Sequence, residues 1–523
     1  MEIPLKCSYG VISSLYPFLK VIRLQEPHVL TALTKLPGSS TDLFFGFSFF
    51  PDITMLSNLA RPRLKCASIL RTHTKRSFST KGFSANSKIY IATAGFITTP
   101  GLWWLTSTRD DVPRLENPLA EHLAPELGPS KEEVTHILSK EAYSFQVKNI
   151  AGVNGYDGAQ LASNSPCEDR FIHGKVASPW NKNDQWMSWA VFDGHSGWQT
   201  ADLLTKKLLP FVWRSLTEAK SPSSDEVPNE LVQRAIMKGF VDLDDSIIKT
   251  APDTSKSKES FQDKIKKLAP AYAGSCALLS LYDPITSTLH VACTGDSRAV
   301  LGQKGSDGKW EVIPLSVDQT GSNTEETTRI SKEHPGEENI AKDGRVLGLM
   351  VSRAFGDSLW KWPVDFQKEI KREFNGPAPL VPRYDVRTPP YLTAEPVVTS
   401  TKIDPNKPSF LILGTDGLWD YLSSEQGVNL VGKWLEPGTE EKSEPEPTDR
   451  QFNFGRFWKD VNWKFEEERT TIQDDNAAVH LMRNSLGGKH HELIAGRLAF
   501  DSPLSRRVRD DITVQVIFFN AKK

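Results

Sequence analysis

Soft metal ligands are scarce in this chain. There is no Cys-x-x-Cys pair and no His-Glu-x-x-His, and the histidines do not gather near the acidic motifs described below. Thiolate- or imidazole-rich coordination therefore has no ligand set to use. The five cysteines (Cys7, Cys66, Cys167, Cys276, Cys293) show no framework spacing, so a reduced, disulfide-free protein is expected. An excess of charge is missing too: 63 basic residues face 65 acidic ones, a net charge of −2. With no basic field or stripe, nucleic acid is not an expected partner, and a two-metal nuclease is disfavoured. No internal repeat is visible, and 523 residues leave room for one large domain plus appendages.

What the chain does have is five short acidic motifs. They are SPCEDR around Glu168 and Asp169, VFDGH around Asp193, CTGDSR around Asp296, LGTDGLWD around Asp416, and RVRDDITV around Asp510. Each stands where an apolar, β-rich run meets a turn signal. One such acid is usually a turn cap; five ask for a common cause. Residues 186–192 (WMSWAVF) read as a buried strand ending at Asp193, and 410–414 (FLILG) as one leading to Asp416. CALLSLY and TLHVACT form a hairpin that ends at Gly295-Asp296, and in ITVQVIFF (512–519) the strand follows its acids. If that last strand runs antiparallel to the others, Asp193, Asp416 and Asp510 meet over one sheet edge. Carboxylates, a backbone carbonyl and water suit magnesium or manganese. The glycines after Asp193 and Asp416 let backbone approach an ion closely. Two such ions can bridge a water, lower its pKa and clamp a phosphate, which is chemistry for phosphate ester hydrolysis.

The order ED, DGH, GDSR, SRAFGD, TDGLWD and RDDIT resembles the metal-dependent serine/threonine protein phosphatases of type 2C (PPM-type), over residues 145–520. That resemblance implies an α+β fold, with two central antiparallel sheets packed face to face and flanked by helices in four αββα layers. It implies that Asp193 bridges two Mg2+ or Mn2+ ions, that the Gly194 carbonyl serves the second, and that Asp416 and Asp510 complete the first. Glu168 and Asp169 match the pair that orders metal-bound waters. Asp296 and Asp420 match positions linked to a weaker third ion. A water between the ions then attacks phosphorus in line, without a covalent phosphoenzyme. Many relatives carry a phosphate-binding arginine four residues before the ED glutamate; here that position is Asn164.

The stretches FGDSLWKWPVDFQKEI, TPPYLTAEPVV and DNAAVHLMRNSLGG are similar to the mitochondrial pyruvate dehydrogenase phosphatase branch and its fungal relatives. That branch is also neutral at the position of Asn164. It implies a mitochondrial phosphoprotein as partner, such as the pyruvate dehydrogenase complex. His195 matches a general acid for the leaving alkoxide, with a role in orienting Asp193 as the alternative. Arg353, in SRAFGD, reads first as pairing with a core acid, with a substrate phosphate contact as the alternative. A catalytically weak phosphoprotein-binding module of the same fold is the rival function. The presence of Asp193, Asp416 and Asp510 speaks against it.

Residues 55–88 hold eight Lys or Arg, many Ser and Thr, and no Asp or Glu, as mitochondrial presequences do. Residues 1–54 lack that character, so translation from Met55 is expected, with an upstream extension before it. Residues 89–108 are uncharged, with Trp103 and Trp104 suited to an interface and Pro100 unsuited to a span. They read equally as an inner-membrane anchor, which places catalysis in the intermembrane space, and as a buried soluble segment in a matrix enzyme. Residues 109–144 read as a linker. LLTKKLLPFVW reads as an amphipathic helix packed on a sheet. The polar tracts 218–230, 249–267 and 436–450 read as surface insertions, taken as ordinary solvated loops, and 317–345 falls where the family places a flap.

Overall fold

The computed structural model describes residues 128–219, 227–436 and 464–521. The expected upstream extension, presequence, anchor segment and most of the linker lie outside these residues. Among the described residues, no helix is long and apolar enough to cross a membrane.

Eleven strands build two antiparallel sheets. They are β1 (Tyr143–Gln146), β2 (Val153–Leu161), β3 (Arg170–Ala177), β4 (Gln185–Phe192), β5 (Ala277–Asp283), β6 (Thr288–Thr294), β7 (Arg298–Lys304), β8 (Trp310–Pro314), β9 (Val397–Lys402), β10 (Ser409–Gly414) and β11 (Ile512–Phe519). The first sheet runs β1-β2-β11-β10-β7-β8 and the second β9-β6-β5-β4-β3. Period-two alternation divides each strand between two cores. Leu301, Leu411, Leu413, Ile517 and Phe519 of the first sheet meet Met187, Trp189, Val191, Leu289 and Val291 of the second. The intervening residues Val300, Phe410, Ile412, Val514 and Val516 face outward. They pack on α1 (Lys131–Ser139) and on helices near the chain's carboxyl end. Trp186, Ala190, Phe192, Leu279 and Ala292 face outward on the other side. The layers are therefore αββα, as expected. β11 is buried on both faces, which is why ITVQVIFF shows almost no polar alternation.

On the second sheet lie α2 (Gln199–Ala219), α3 (Asn229–Lys256) and α4 (Phe261–Tyr272). α2 contains the expected amphipathic run and buries Leu204, Leu208 and Val212. α3 crosses it closely at Gly239, where an added Cβ would stand 2.7 Å from the Val212 Cα. The expectation of a solvated loop insertion at 249–267 is corrected here. Its first part is the end of α3 and its last part belongs to α4. Ser260 caps α4 by accepting from the Asp263 N–H, and Lys264 donates to the Ser255 carbonyl. Two side chains within it, Ala251 and Ser255, are buried, and buried Ile247 and Leu268 flank it, enough to dock a mostly polar segment.

The 317–345 stretch carries α5 (Thr324–Glu333), capped by Asn323. It shares a separate apolar cluster with the following residues to 392, including Ile330, Val346, Leu349, Trp360 and Tyr391. α6 (Val364–Phe374) follows. α7 (Ser424–Leu435), α8 (Ala477–Leu486) and α9 (His491–Leu498) complete the outer layer of the first sheet.

Candidate active site

β11 runs antiparallel to β10, with Val514 opposite Gly414. The start of one strand and the end of the other therefore bring Asp510 and Asp416 to the same end of the sheet. Asp193 arrives differently from the single-edge expectation. Its strand, β4, belongs to the facing sheet, so the acids span the mouth between two sheets.

Asp193, Asp296 and Asp416 each offer an oxygen, and these oxygens lie within 4.8 Å of one another. The Asp416 N–H points to Asp193 Oδ2 at 3.4 Å. Burial and like charge act together on this group. Burial, then the charges of Asp416 and Asp169, hold the Asp193 carboxyl well above the usual range. Burial, Asp296 and Asp420 push Asp416 up to about 7, with Arg506 opposing them. Three crowded carboxylates in a protected mouth are a hard-cation donor set, so the residues fit a divalent ion. Two glycines permit the crowding. A Cβ on Gly194 would meet the Glu168 carbonyl oxygen at 2.3 Å, and one on Gly417 the Asp511 carbonyl oxygen at 2.1 Å.

The structure distributes the other expected residues around this trio. Asp510, expected to converge with Asp193 and Asp416, is not one of the three; it stands next to Gly417, its Cβ 3.2 Å from where a Cβ there would lie, ion-paired with Arg506 and accepting the Asp511 N–H at 2.6 Å. Asp420 is exposed one helical turn beyond Asp416. Asp169 is buried, and its Oδ2 accepts the hydroxyls of Thr415 (3.0 Å) and Thr513 (2.7 Å). It thus ties the ED motif to the residues just before Asp416 and just after Asp510. Glu168 is held by its own N–H on Asp511 Oδ2 at 2.9 Å. Burial and Asp511 raise its carboxyl. Asn164 donates its amide to Asp511 at 3.0 Å and to Glu168 at 3.3 Å. Arg353 is buried and grips Glu326 with two nitrogens, at 3.0 and 2.7 Å, while a third reaches the Glu395 carbonyl. Of its two candidate roles, the guanidinium occupies the structural one.

His195 Nε2 lies 2.7 Å from Asp357 Oδ2, a partner the sequence did not disclose. Three two-residue strands bring them together: Gly194–His195 pairs with Gly274–Ser275, which pairs with Phe355–Gly356. Gly274 makes room, since a Cβ there would stand 2.1 Å from Nε2. Asp244 of α3 fixes the turn by accepting the Gly356 N–H at 2.9 Å and the buried Lys361 ammonium at 2.7 Å. Burial alone would lower the imidazole pKa; Asp357, with help from Asp296 and Glu168, raises it instead. Segments this short have no periodicity to read. Asp511 and Thr513 were equally hidden, although both sit inside the RDDIT motif.

The layered fold and the acidic mouth are those of a phosphate-ester hydrolase of the kind the motifs resemble. The Protein phosphatase 2C family profile matches residues 158–448. A protein phosphatase 2C homologue of Schizosaccharomyces pombe is 43% identical over 72% of this chain and 82% of its own length. The mitochondrial pyruvate dehydrogenase (acetyl-transferring) phosphatase 1 of Saccharomyces cerevisiae is 38% identical, covering 72% of this chain and 70% of the relative. Its namesake in Homo sapiens is 29% identical, covering 74% and 83%. The chain belongs to the protein phosphatase 2C family and is a protein phosphatase, a hydrolase.

A stability consequence follows from the raised acids. The folded protein keeps a proton on Asp416 up to about pH 7, whereas an unfolded aspartate releases it near pH 4. Stability from this source therefore falls as pH rises between those values. With chelator present, the melting temperature should drop from pH 5.5 to 7.5, and less so in Asp416→Asn. Mn2+ should raise it more at pH 7.5 than at 5.5. Parallel melting curves for the variant and the wild type would contradict this assignment.

Proposed function

We propose that the protein hydrolyses phosphoserine and phosphothreonine on a mitochondrial phosphoprotein, the pyruvate dehydrogenase complex being the candidate substrate. The observation that carries the catalytic part is the convergence of Asp193, Asp296 and Asp416 at the mouth between the sheets. Asp193, the Gly194 carbonyl, Asp416 and Asp510 would hold two Mg2+ or Mn2+ ions, with Asp296 and Asp420 serving a weaker third. Such cations lower the pKa of a bridging water and neutralise phosphoryl charge. Glu168, Asp169, Asn164 and Asp511 order the rim around them. As water adds to phosphorus and the ester P–O bond breaks, the seryl or threonyl oxygen takes a proton from His195. Asp357, at 2.7 Å from Nε2, stabilises the protonated ring that this role needs.

The substrate part rests on the relatives' names and on the segments they resemble outside the acidic motifs. The fungal and mammalian relatives named as mitochondrial also support a mitochondrial location. Residues 55–88 supply the matching composition, and 89–108 bear on which side of the inner membrane the enzyme works. The expected linker at 109–144 is too long: α1 buries Val134 and Leu138 in the core of the first sheet and β1 begins at Tyr143, so the phosphatase domain takes in residues 131–144 as well as 145–520. A chain begun at Met55 should be imported and shortened near Ser79; amino-terminal sequencing of the mature protein reads this directly. Recovery of an intact chain from Met1 in cells would sink it.

Asp193→Ala should leave less than about a tenth of wild-type turnover on a phosphoserine peptide in Mn2+, with the fold retained by thermal melt. Chelator should do the same to the wild type. Hydrolysis of nucleic acid in place of phosphopeptide would reverse the functional reading.

His195→Gln should lower turnover on a phosphoserine peptide by roughly a hundredfold. The loss on an aryl phosphate should be much smaller, because phenolate leaves without a proton. Equal losses on both substrates would make His195 a positioning residue.

A further inference from the structure

A phosphatase must bind a dianionic group beside its own cluster of acids, and Asn164 cannot supply the cation. Its side-chain amide is already committed to Asp511 and Glu168. The question is which basic group of the same rim can do so.

Arg506 stands in the 3-10 turn Leu504–Arg507, one turn ahead of Asp510. That turn is laced to the segment holding Asn164. The Ser505 hydroxyl donates to the Ser163 carbonyl, the Ser163 hydroxyl donates to the Arg509 carbonyl at 2.9 Å, and the Ser163 N–H meets Asp511. Arg506 is therefore delivered to the neighbourhood of position 164 from the far end of the domain. Its guanidinium pairs with Asp510, and the two side chains are 27% and 30% exposed, open to a solute. Its charge also reaches Glu168 and Asp416, whose acidity it increases. Asp510 has two demands on it, since the proposed cation also needs that carboxylate. Once a divalent ion takes the carboxylate, the guanidinium faces a like charge and loses its partner. A phosphoryl group offers the same fork a bidentate acceptor with more charge.

We propose that Arg506 exchanges partners in the catalytic cycle, leaving Asp510 to the cation and closing its guanidinium on the phosphoryl oxygens of the substrate. Arg506 then does from the RDDIT side what an arginine at position 164 would do from the ED side. This inference rests on the cation-dependent reading of the site above.

The test uses the full chain and three variants. Mn2+ affinity is measured by calorimetry without substrate; KM for a phosphoserine peptide and the inhibition constant of inorganic phosphate are measured separately. In Arg506→Ala, Mn2+ should bind about threefold more tightly, because a competing cation has gone. KM and the phosphate inhibition constant should both rise by roughly tenfold or more. Arg506→Lys keeps the charge but not the fork, so its Mn2+ affinity should stay near wild type while KM remains raised. Arg507→Ala, an exposed neighbour, should change neither. Unchanged KM and phosphate inhibition in Arg506→Ala, beside a wild type that binds Mn2+, overturn the partner exchange alone. A wild type that takes up no Mn2+ overturns the cation reading and the exchange together.

Discussion

Crowding of like charge is the constraint around which this molecule is arranged. Asp193, Asp296 and Asp416 approach within 4.8 Å at a mouth sheltered from water, an arrangement that repels itself and resists ionisation. Something rigid must hold the acids there. The interlocked apolar faces of the two sheets do so, because the acids stand at strand ends whose register is set by fully buried side chains. A second layer of hydrogen bonds fixes their direction. Asp169 gathers two threonine hydroxyls, and Asp511 takes the N–H groups of Ser163, Asn164 and Glu168. Asp169 and Asp511 each accept two or more protein donors, whereas in the trio Asp193 accepts an N–H at 3.4 Å and Asp296 a thiol at 3.2 Å. The contrast separates carboxylates fixed by the protein from those that fit the proposed cation.

The same division explains what could be read in advance. Strands β4, β10 and β11 were legible because each is a compact apolar run, and each acid was legible because it interrupts such a run. Their common destination followed from direction of travel, but the membership of β4 in the facing sheet did not. Periodicity says which residues share a face; it does not say which sheet a strand joins. The pairing of His195 with Asp357 was hidden because it depends on three strands of two residues each. The anchoring of Arg353 on Glu326 was hidden because Glu326 lies in a polar helix and is nonetheless buried. Composition misled at 249–267, where a few buried side chains outweigh many solvated ones in deciding that the segment is helical.

Asp357 shows how far the site extends beyond its acids. Its position follows from Gly356, whose N–H is fixed by Asp244, whose other oxygen neutralises buried Lys361. The imidazole is thus placed by a chain of contacts that begins on α3, outside the sheets. A buried pair of this kind is costly to break, because either partner alone is an uncompensated charge. His195 and the acidic trio are therefore placed by different supports, joined through Gly194–His195 and through Cys276, which hydrogen-bonds the Asp193 carbonyl and Asp296.

The position of β11 between β2 and β10 has a consequence for how the protein is made. Gln160 and Thr513, hydrogen-bonded neighbours, are 353 residues apart in the chain. The first sheet has an open gap at its centre until that last strand docks. Until then, the inner edges of β2 and β10 are unpaired strands bordered by apolar side chains, the kind of surface that invites wrong partners. Closure of so long a loop is slow. Until β11 docks, the chain must therefore keep two edges from pairing elsewhere.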